Sequence, residues 1–323
     1  MIPIGEMQTR YPNESVSIRY ANEQTDYVAG RMFPETVQSK SVFRTWQYDT
    51  SQFRRRLTRK ANAAEADLVD YGGFYTNRTS EPHKLAGEWD PQAEADNDAE
   101  LADIEQDVSM TIMDGLLIDR ENEAATLATT SGNYPADLTS ALTGGTDTWV
   151  DAGGDPRDNA KTARLAVRAR CGKTPNALVL SYQGLQALSY SPNLIDFLKY
   201  TSGASIPVDV LKNLLEVQDI FVAKAQQNTN MEGNATQTLT EIWNDSGLFF
   251  VHDPAPRRRS VCYGRGYYRN RLYTYRYQDE KRGSGDGRIQ RLEQGWNYIQ
   301  AAAAVVSSSD GDFAAGYLLR NVF

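Results

Sequence analysis

Histidine and cysteine are nearly missing from this chain of 323 residues, which holds two of each: His83, His252, Cys171 and Cys262. Two isolated cysteines make neither a disulfide framework nor a metal-ligand spacing, and both read as reduced cytosolic thiols. A Ser-His-Asp or Cys-His catalytic system would need one of the histidines. Cys262 follows His252 by ten residues, yet neither stands in a nucleophile setting such as G-x-S-x-G. His252 is expected to end a strand and His83 to lie in a loop. Long apolar runs are also lacking, and with a mean hydropathy of -0.57 no membrane span is expected. Net positive charge is lacking too. The 34 Lys and Arg against 42 Asp and Glu give -8, a balance unsuited to tight, phosphate-driven nucleic-acid binding. The N-terminal MIPIGEMQTRYPNESV has no charged-then-apolar layout, so secretion is not indicated.

Ligand motifs occur only as fragments. Gly172, Lys173 and Thr174 resemble the end of a phosphate-binding loop, but Val167 holds the place of its first glycine and Pro175 blocks the helix that should follow. A helix-to-strand turn is expected there. Gly264 and Gly266 begin a dinucleotide fingerprint that Arg269 breaks. Asp96, Asn97, Asp98, Glu100 and Asp103 lack the central glycine and terminal glutamate of a calcium loop, and helix capping accounts for them. No catalytic residue, cofactor or metal is expected, and the chain does not read as an enzyme.

What is present is a long helical signal from Asp96 to Gly132. Leu101, Ile104, Val108, Ile112, Leu116, Leu117, Ala124, Leu127 and Ala128 fall mostly three or four apart, so one face can be buried along the whole element. Roughly 34 helical residues would reach about 50 Å, the backbone of an extended molecule. Gly115 in its middle weakens it by about 1 kcal/mol relative to alanine, and Gly132 with Pro135 is expected to end it.

Before this helix, residues 1–38 show little helical period and read as an extended arm, which can become ordered only against the rest of the protein or a neighbouring chain. Residues 39–89 alternate aromatic and β-branched side chains around the basic QFRRRLTRK, a long two-stranded excursion with a charged tip. Arg54, Arg55, Arg56, Arg59 and Lys60 would attract phosphates, but in an acidic protein they are read first as partners for carboxylates on the same or an adjacent subunit. After the helix, an alternation of helices and short buried strands from about residue 155 to residue 253 suggests a compact α/β unit. From Ser260 the pattern is mostly strand, with a hairpin turn at Gly283–Gly287. Arg257, Arg258 and Arg259 make an exposed basic turn that could meet a partner's acids or enclosed nucleic acid. Trp46, Trp89, Trp149, Trp243 and Trp296 are dispersed, which suits core packing and subunit contact.

This order of elements resembles the major capsid protein of tailed bacteriophages, the Hong Kong 97-like fold. IDRENEAATLAT is similar to the family's late-helix pattern, filled by Arg120, Glu121, Ala124 and Ala125. Trp149 followed by DAGGDPRDNAKTARLAVRARCGKTPNALVLS is similar to its run of W-x-D, an S/G-D-P turn, a helix, T-G-x-x-P-N and a hydrophobic strand. Asp155, Pro156, Gly172, Pro175 and Asn176 fill those places, while Gly154 replaces the usual serine. AAGYLLRNVF resembles the closing strand.

The resemblance implies an α+β chain with an N-terminal arm (1–38), an E-loop (39–90), a peripheral domain with the spine helix (91–150), an α/β axial domain (151–264) and closing strands of the peripheral domain (265–323). It implies self-assembly as pentamers and hexamers into an icosahedral shell around double-stranded DNA, in the virion, assembled in the bacterial host cytoplasm. The chain starts on arm-like sequence, so a separate scaffolding protein is expected, with a portal and, where present, a decoration protein as further partners. Arg54, Arg55, Arg56, Arg59, Lys60, Trp46 and Trp89 become the candidate intersubunit contacts. An encapsulin-like compartment, an α/β hydrolase using His252 or Cys262, and a sequence-nonspecific nucleic-acid binder are the competing readings.

Overall fold

One long helix serves two sheets. The computed structural model describes residues 23–48, 55–56, 58–59, 65, 67–68, 73–89, 104–198, 206–230, 238–257, 260–279, 289–302 and 315–323. A 3-10 turn at Gln24–Asp26, a short helix α1 (Ala29–Met32) and strand β1 (Glu35–Val37) come first. Tyr27, Val28, Ala29, Met32 and Phe33 are buried in the main core. Residues 27–33 thus pack against the rest of the protein, with helical turns where extended chain was expected. Residues 1–22 lie outside the described part.

Strands β2 (Val42–Tyr48) and β3 (Gly73–Thr79) pair antiparallel, from Val42 opposite Thr79 to Tyr48 opposite Gly73. This is the two-stranded excursion that the alternation predicts. A third strand, β4 (Glu81–Trp89), follows at once. It carries His83, so the loop expected for that residue is corrected. Pro82 reads as a breaker, but β4 is an edge strand, where a missing N–H is tolerated.

The long helix α2 runs Ile104–Thr129, 26 residues and about 39 Å. The start expected at Asp96 lies outside the described residues, and the end comes earlier than expected. The carbonyls of Thr126, Leu127 and Ala128 accept from Thr130 Oγ1 at 2.6 Å, Asn133 Nδ2 at 2.9 Å and the Tyr134 hydroxyl at 2.7 Å. Side chains therefore satisfy the last carbonyls before Gly132 is reached, and Gly132 lies within a 3-10 turn, Ser131–Asn133.

The rest of the chain builds the α/β unit. After β5 (Thr139–Ala141) comes α3 (Pro156–Cys171), capped by Asp155, whose carboxylate accepts from the Arg157 and Asp158 amides at 3.0 and 3.3 Å. Gly172, at φ 74°, closes it with a left-handed residue, the turn expected from sequence. Strand β6 (Ala177–Ser181), helices α4 (Tyr182–Ser189), α5 (Pro192–Leu198) and α6 (Val208–Leu215), and strand β7 (Asp219–Ala223) follow. Strands β8 (Gln226–Asn228) and β9 (Leu239–Glu241) form a small ribbon before β10 (Gly247–Phe250). The chain ends with β11 (Gly264–Asp279), β12 (Ile289–Ala302) and β13 (Gly316–Arg320).

The four-stranded sheet has the order β1-β11-β12-β4 and the five-stranded sheet β5-β13-β10-β6-β7. The turn expected at Gly283–Gly287 lies outside the described residues, and the strands on either side pair antiparallel up to Asp279 opposite Ile289. The reading that grouped residues 265–323 as closing strands of one domain changes at its end: β13 joins the five-stranded sheet. The physical reason is burial. Gly316, Tyr317, Leu318 and Leu319 are all buried, as are all residues of β6 and β10, the pattern of central strands.

The buried stripe of α2 runs Ile112, Leu116, Arg120, Ala124, Ala128 at steps of four, with Leu117, Glu121 and Ala125 beside it. Its first half packs with Trp89, Tyr268, Leu292, Trp296 and Tyr298; its second half enters the main core. Two glycines let β4 lie against it. A Cβ on Gly115 would stand 2.8 Å from Leu85 Cδ1, and one on Gly87 2.4 Å from Val108 Cγ1. Gly115 is therefore a contact position as well as a weak point. We expect Gly87→Ala to cost about 1 kcal/mol and Val108→Ala in the same chain to recover part of it. Urea unfolding of the four-member cycle measures this, and strictly additive values would refute the contact.

Candidate functional site

Successive helical residues point about 100° apart, so the neighbouring Arg120 and Glu121 reach different partners where the two cores meet. Glu121 is fully buried. Its carboxylate accepts the Ala29 amide at 2.8 Å, the Val28 amide at 3.1 Å and the Trp243 indole N–H at 2.7 Å. Three N–H groups that burial would otherwise leave unpaired are satisfied by one side chain. Burial pushes the Glu121 carboxyl above its usual range, while those donors and Arg120 pull the other way.

Arg120, 8% exposed, lies with its guanidinium carbon 5.4 Å from the Tyr268 ring and 5.6 Å from the Trp296 ring. Its Nη1 is 3.9 Å from Glu35 Oε1 on β1, and its carbonyl accepts Gln300 Nε2 at 3.2 Å. Burial pushes the Tyr268 phenol up to about 12, an effect the neighbouring guanidinium partly offsets. Ala124 and Ala125, buried one turn on, are small enough for the main core to close around the helix. The four residues of the late-helix pattern thus come together as a clamp that ties the stretch 27–35 to the helix, to the four-stranded sheet and to Trp243 between β9 and β10. It holds no group placed to react; what it can do is hold the stretch 27–35 in one position against the long helix.

Legibility from sequence is uneven here. The stripe's own arithmetic, four residues on from Leu116 and Leu117, lands on Arg120 and Glu121. A count of apolar residues alone does not include these two positions. Trp243 as the partner of Glu121 carries no sequence signal, being 122 residues away.

The other candidate residues are scattered. Arg55, Arg56 and Arg59 are exposed, whereas Arg54 and Lys60 lie outside the described residues. Trp46 packs edge-on against Tyr75 at 4.7 Å in the β2–β3 ribbon. Trp89, expected at a subunit contact, is only 6% exposed and belongs to the chain's own second core. Its place at the end of β4, beneath α2, is the reason. Arg257 is exposed and its carbonyl accepts Arg265 Nη2 at 2.6 Å; Arg258 and Arg259 lie outside the described residues.

His252 lies two residues past β10, its ring 5.2 Å from that of Phe221, and burial pushes its pKa down. Its Nδ1 has no hydrogen-bond partner among the described residues. Cys262 is buried and accepts Arg265 Nε at 3.4 Å. Among the described hydrogen bonds, neither residue is part of a nucleophile and base pair.

No family model matches the chain. It is 27% identical over 154 residues to the major capsid protein of Burkholderia phage BcepMu, a match spanning 48% of each chain, about half the relative's length. It is 25% identical over 254 residues to the major capsid protein of Pseudomonas phage JBD67, spanning 77% of this chain and 79% of the relative. Among solved structures, a phage-related protein from Bordetella bronchiseptica RB50 superposes with a TM-score of 0.69 at 24% identity, covering 93% of both chains. The capsid of cyanophage P-SCSP1u matches with a TM-score of 0.54 at 10% identity, over 97% of this chain and 93% of that one. The SrpI encapsulin of Synechococcus elongatus PCC 7942 matches with a TM-score of 0.52 at 11% identity, over 97% and 94%. Sequence and fold both relate the chain to phage major capsid proteins, structural and not enzymatic.

Proposed function

We propose that the chain is the shell-forming major capsid protein of a tailed bacteriophage, assembling as pentamers and hexamers into an icosahedral capsid around double-stranded DNA. The observation that carries this reading is the likeness to phage capsid proteins in both sequence and fold, the latter over nearly the whole chain. The surface adds support. Val42 and Tyr75 on the β2–β3 ribbon and Leu272, Tyr275 and Tyr277 on β11 are exposed, apolar and on separate elements. Several modest contacts of that kind suit a shell in which each interface stays weak enough to reverse and their number supplies the stability.

On this reading residues 1–38 are the N-arm, 39–90 the E-loop, 91–150 the spine-helix region and 151–264 the axial domain. The strands of 265–302 complete the peripheral sheet, and β13 returns to the axial one. Scaffolding protein, portal and, where present, decoration protein are the expected partners, with assembly in the host cytoplasm. The exposed Arg55, Arg56 and Arg59, with Arg54 and Lys60, are read as meeting a neighbour's carboxylates. Arg257, Arg258 and Arg259 are read as a second, partner-facing or inner-surface cluster.

The test is electron microscopy with light scattering on the purified chain, alone and with its scaffold. Pentamers, hexamers, tubes or closed shells are expected; a compact monomer under both conditions would overturn the reading. Charge reversal at Arg55 and Arg56 is expected to cut shell yield while leaving circular dichroism and melting temperature unchanged, and a normal yield would remove the arginine tip from the interface. A compartment shell holding an enzyme cargo shares the fold, and the contents of purified shells, nucleic acid or protein, separate the two.

A further inference from the structure

His83 on β4 faces two carboxylates one helical turn apart on α2. Its Nδ1 is 3.2 Å from Asp119 Oδ2 and its Nε2 is 3.6 Å from Glu123 Oε1. A neutral imidazole has one N–H to donate, so one of these carboxylates must face a ring nitrogen's lone pair unless a proton or another cation stands between them. The ring is held in place: it stacks on Tyr298 at a centroid distance of 4.4 Å, and the Tyr298 hydroxyl donates to Glu123 Oε2 at 2.7 Å. One ligand atom from each of the three residues lies within 4.8 Å of the others. Around an ion with bonds of about 2.1 Å, donor atoms sit roughly 3 to 4 Å apart, so the three fit one centre once a single ring nitrogen is turned toward both carboxylates. A cleft of about 610 Å³, lined by His83 and Glu123 among others, adjoins them and leaves room for water to complete the coordination.

We infer that His83, Asp119 and Glu123 bind a divalent transition-metal ion that staples β4 to the long helix. One imidazole with two carboxylates suits zinc or manganese over magnesium, which takes oxygen ligands and keeps most of its water. The ion would fix the strand following the β2–β3 ribbon one to two turns along α2 from Gly115, and three to four turns from Val108, against which Gly87 packs. This site stands whether or not the chain forms a shell, and its test does not depend on assembly.

Calorimetric titration of the full chain, stripped with EDTA, with zinc alone is the direct measurement. One zinc per chain is expected, with affinity lost in His83→Ala and lowered at least about tenfold in Asp119→Asn and in Glu123→Gln. Asp119 is largely exposed, so Asp119→Asn keeps the test valid should His83→Ala fail to fold. Zinc should also raise the melting temperature of the parent chain and leave that of the Asp119→Asn, Glu123→Gln double variant unmoved. Absence of zinc binding would overturn the assignment, as would affinity unchanged in the double variant or magnesium binding as tightly as zinc.

Discussion

Replacing Glu121 with alanine is expected to cost about 3–5 kcal/mol, the range for removing one partner of a buried charged network. The loss has three parts that act together. The amides of Val28 and Ala29 and the Trp243 indole N–H lose their acceptor inside the core. Arg120, buried beside it, loses the charge interaction with Glu121 and keeps the Glu35 contact at 3.9 Å. The stretch from Tyr27 to Phe33 then loses the acceptor that ties two of its amides to α2. Hydrogen exchange should therefore rise first over residues 27–37 and around Trp243, before global unfolding. A loss below about 1 kcal/mol with unchanged exchange would show that packing, and not the carboxylate, holds this stretch.

Glu121→Gln separates charge from hydrogen bonding. Glutamine keeps one oxygen for the N–H donors, so its cost should be smaller than that of alanine. The pH profile follows from the direction of the shift. Burial raises the carboxyl's folded pKa above the ordinary 4.5, so its stabilising proton uptake is complete below about pH 4.5 and lost as pH rises through the folded value. Glu121→Gln has no such proton to lose, and the decline attributable to this group should vanish in urea unfolding measured across that window.

The same residue shows how far sequence reasoning reached. The capped helix α3, the buried strand β6 and the stripe along α2 are local patterns, and they stand where periodicity and capping chemistry put them. The clamp is a different kind of object. Its donors lie 92, 93 and 122 residues from Glu121, and no local pattern encodes such a meeting. A charged pair in an apolar stripe is a conflict between local and global preference, and conflicts of that sort are kept where another element must be held in one register. His83 was misplaced for a related reason. Its strand carries Pro82 at an edge position and Gly87 in close contact with α2, and both roles depend on neighbours distant in sequence.

Gly154 gives the second large effect, because the chain departs there from the serine usual in the capsid family it resembles. Gly154→Ser is expected to destabilise by about 3 kcal/mol, the upper part of the range for overpacking, although it installs the commoner residue. A Cβ at this position would lie 1.9 Å from the Thr148 carbonyl oxygen and 3.1 Å from that of Asp147. Both are backbone atoms, which no rotamer change can move. Thr148 cannot easily give way, since its amide and hydroxyl both donate to Asp151 Oδ2, at 3.2 and 2.6 Å. The next residue, Trp149, is fully buried and donates its amide to the Val322 carbonyl at 2.8 Å. The displacement must therefore pass to the tryptophan and the chain's last residues, or to the start of α3, where Asn193 Nδ2 holds the Gly154 carbonyl at 2.5 Å. Asp155→Ala, which removes only the cap of α3 at about 1 kcal/mol, distinguishes the two routes: exchange should increase near Trp149 and Val322 in Gly154→Ser alone. Were Gly154→Ser to unfold within about 0.5 kcal/mol of the parent, the approach to Thr148 would not persist in solution, and the missing serine would need a reason other than space.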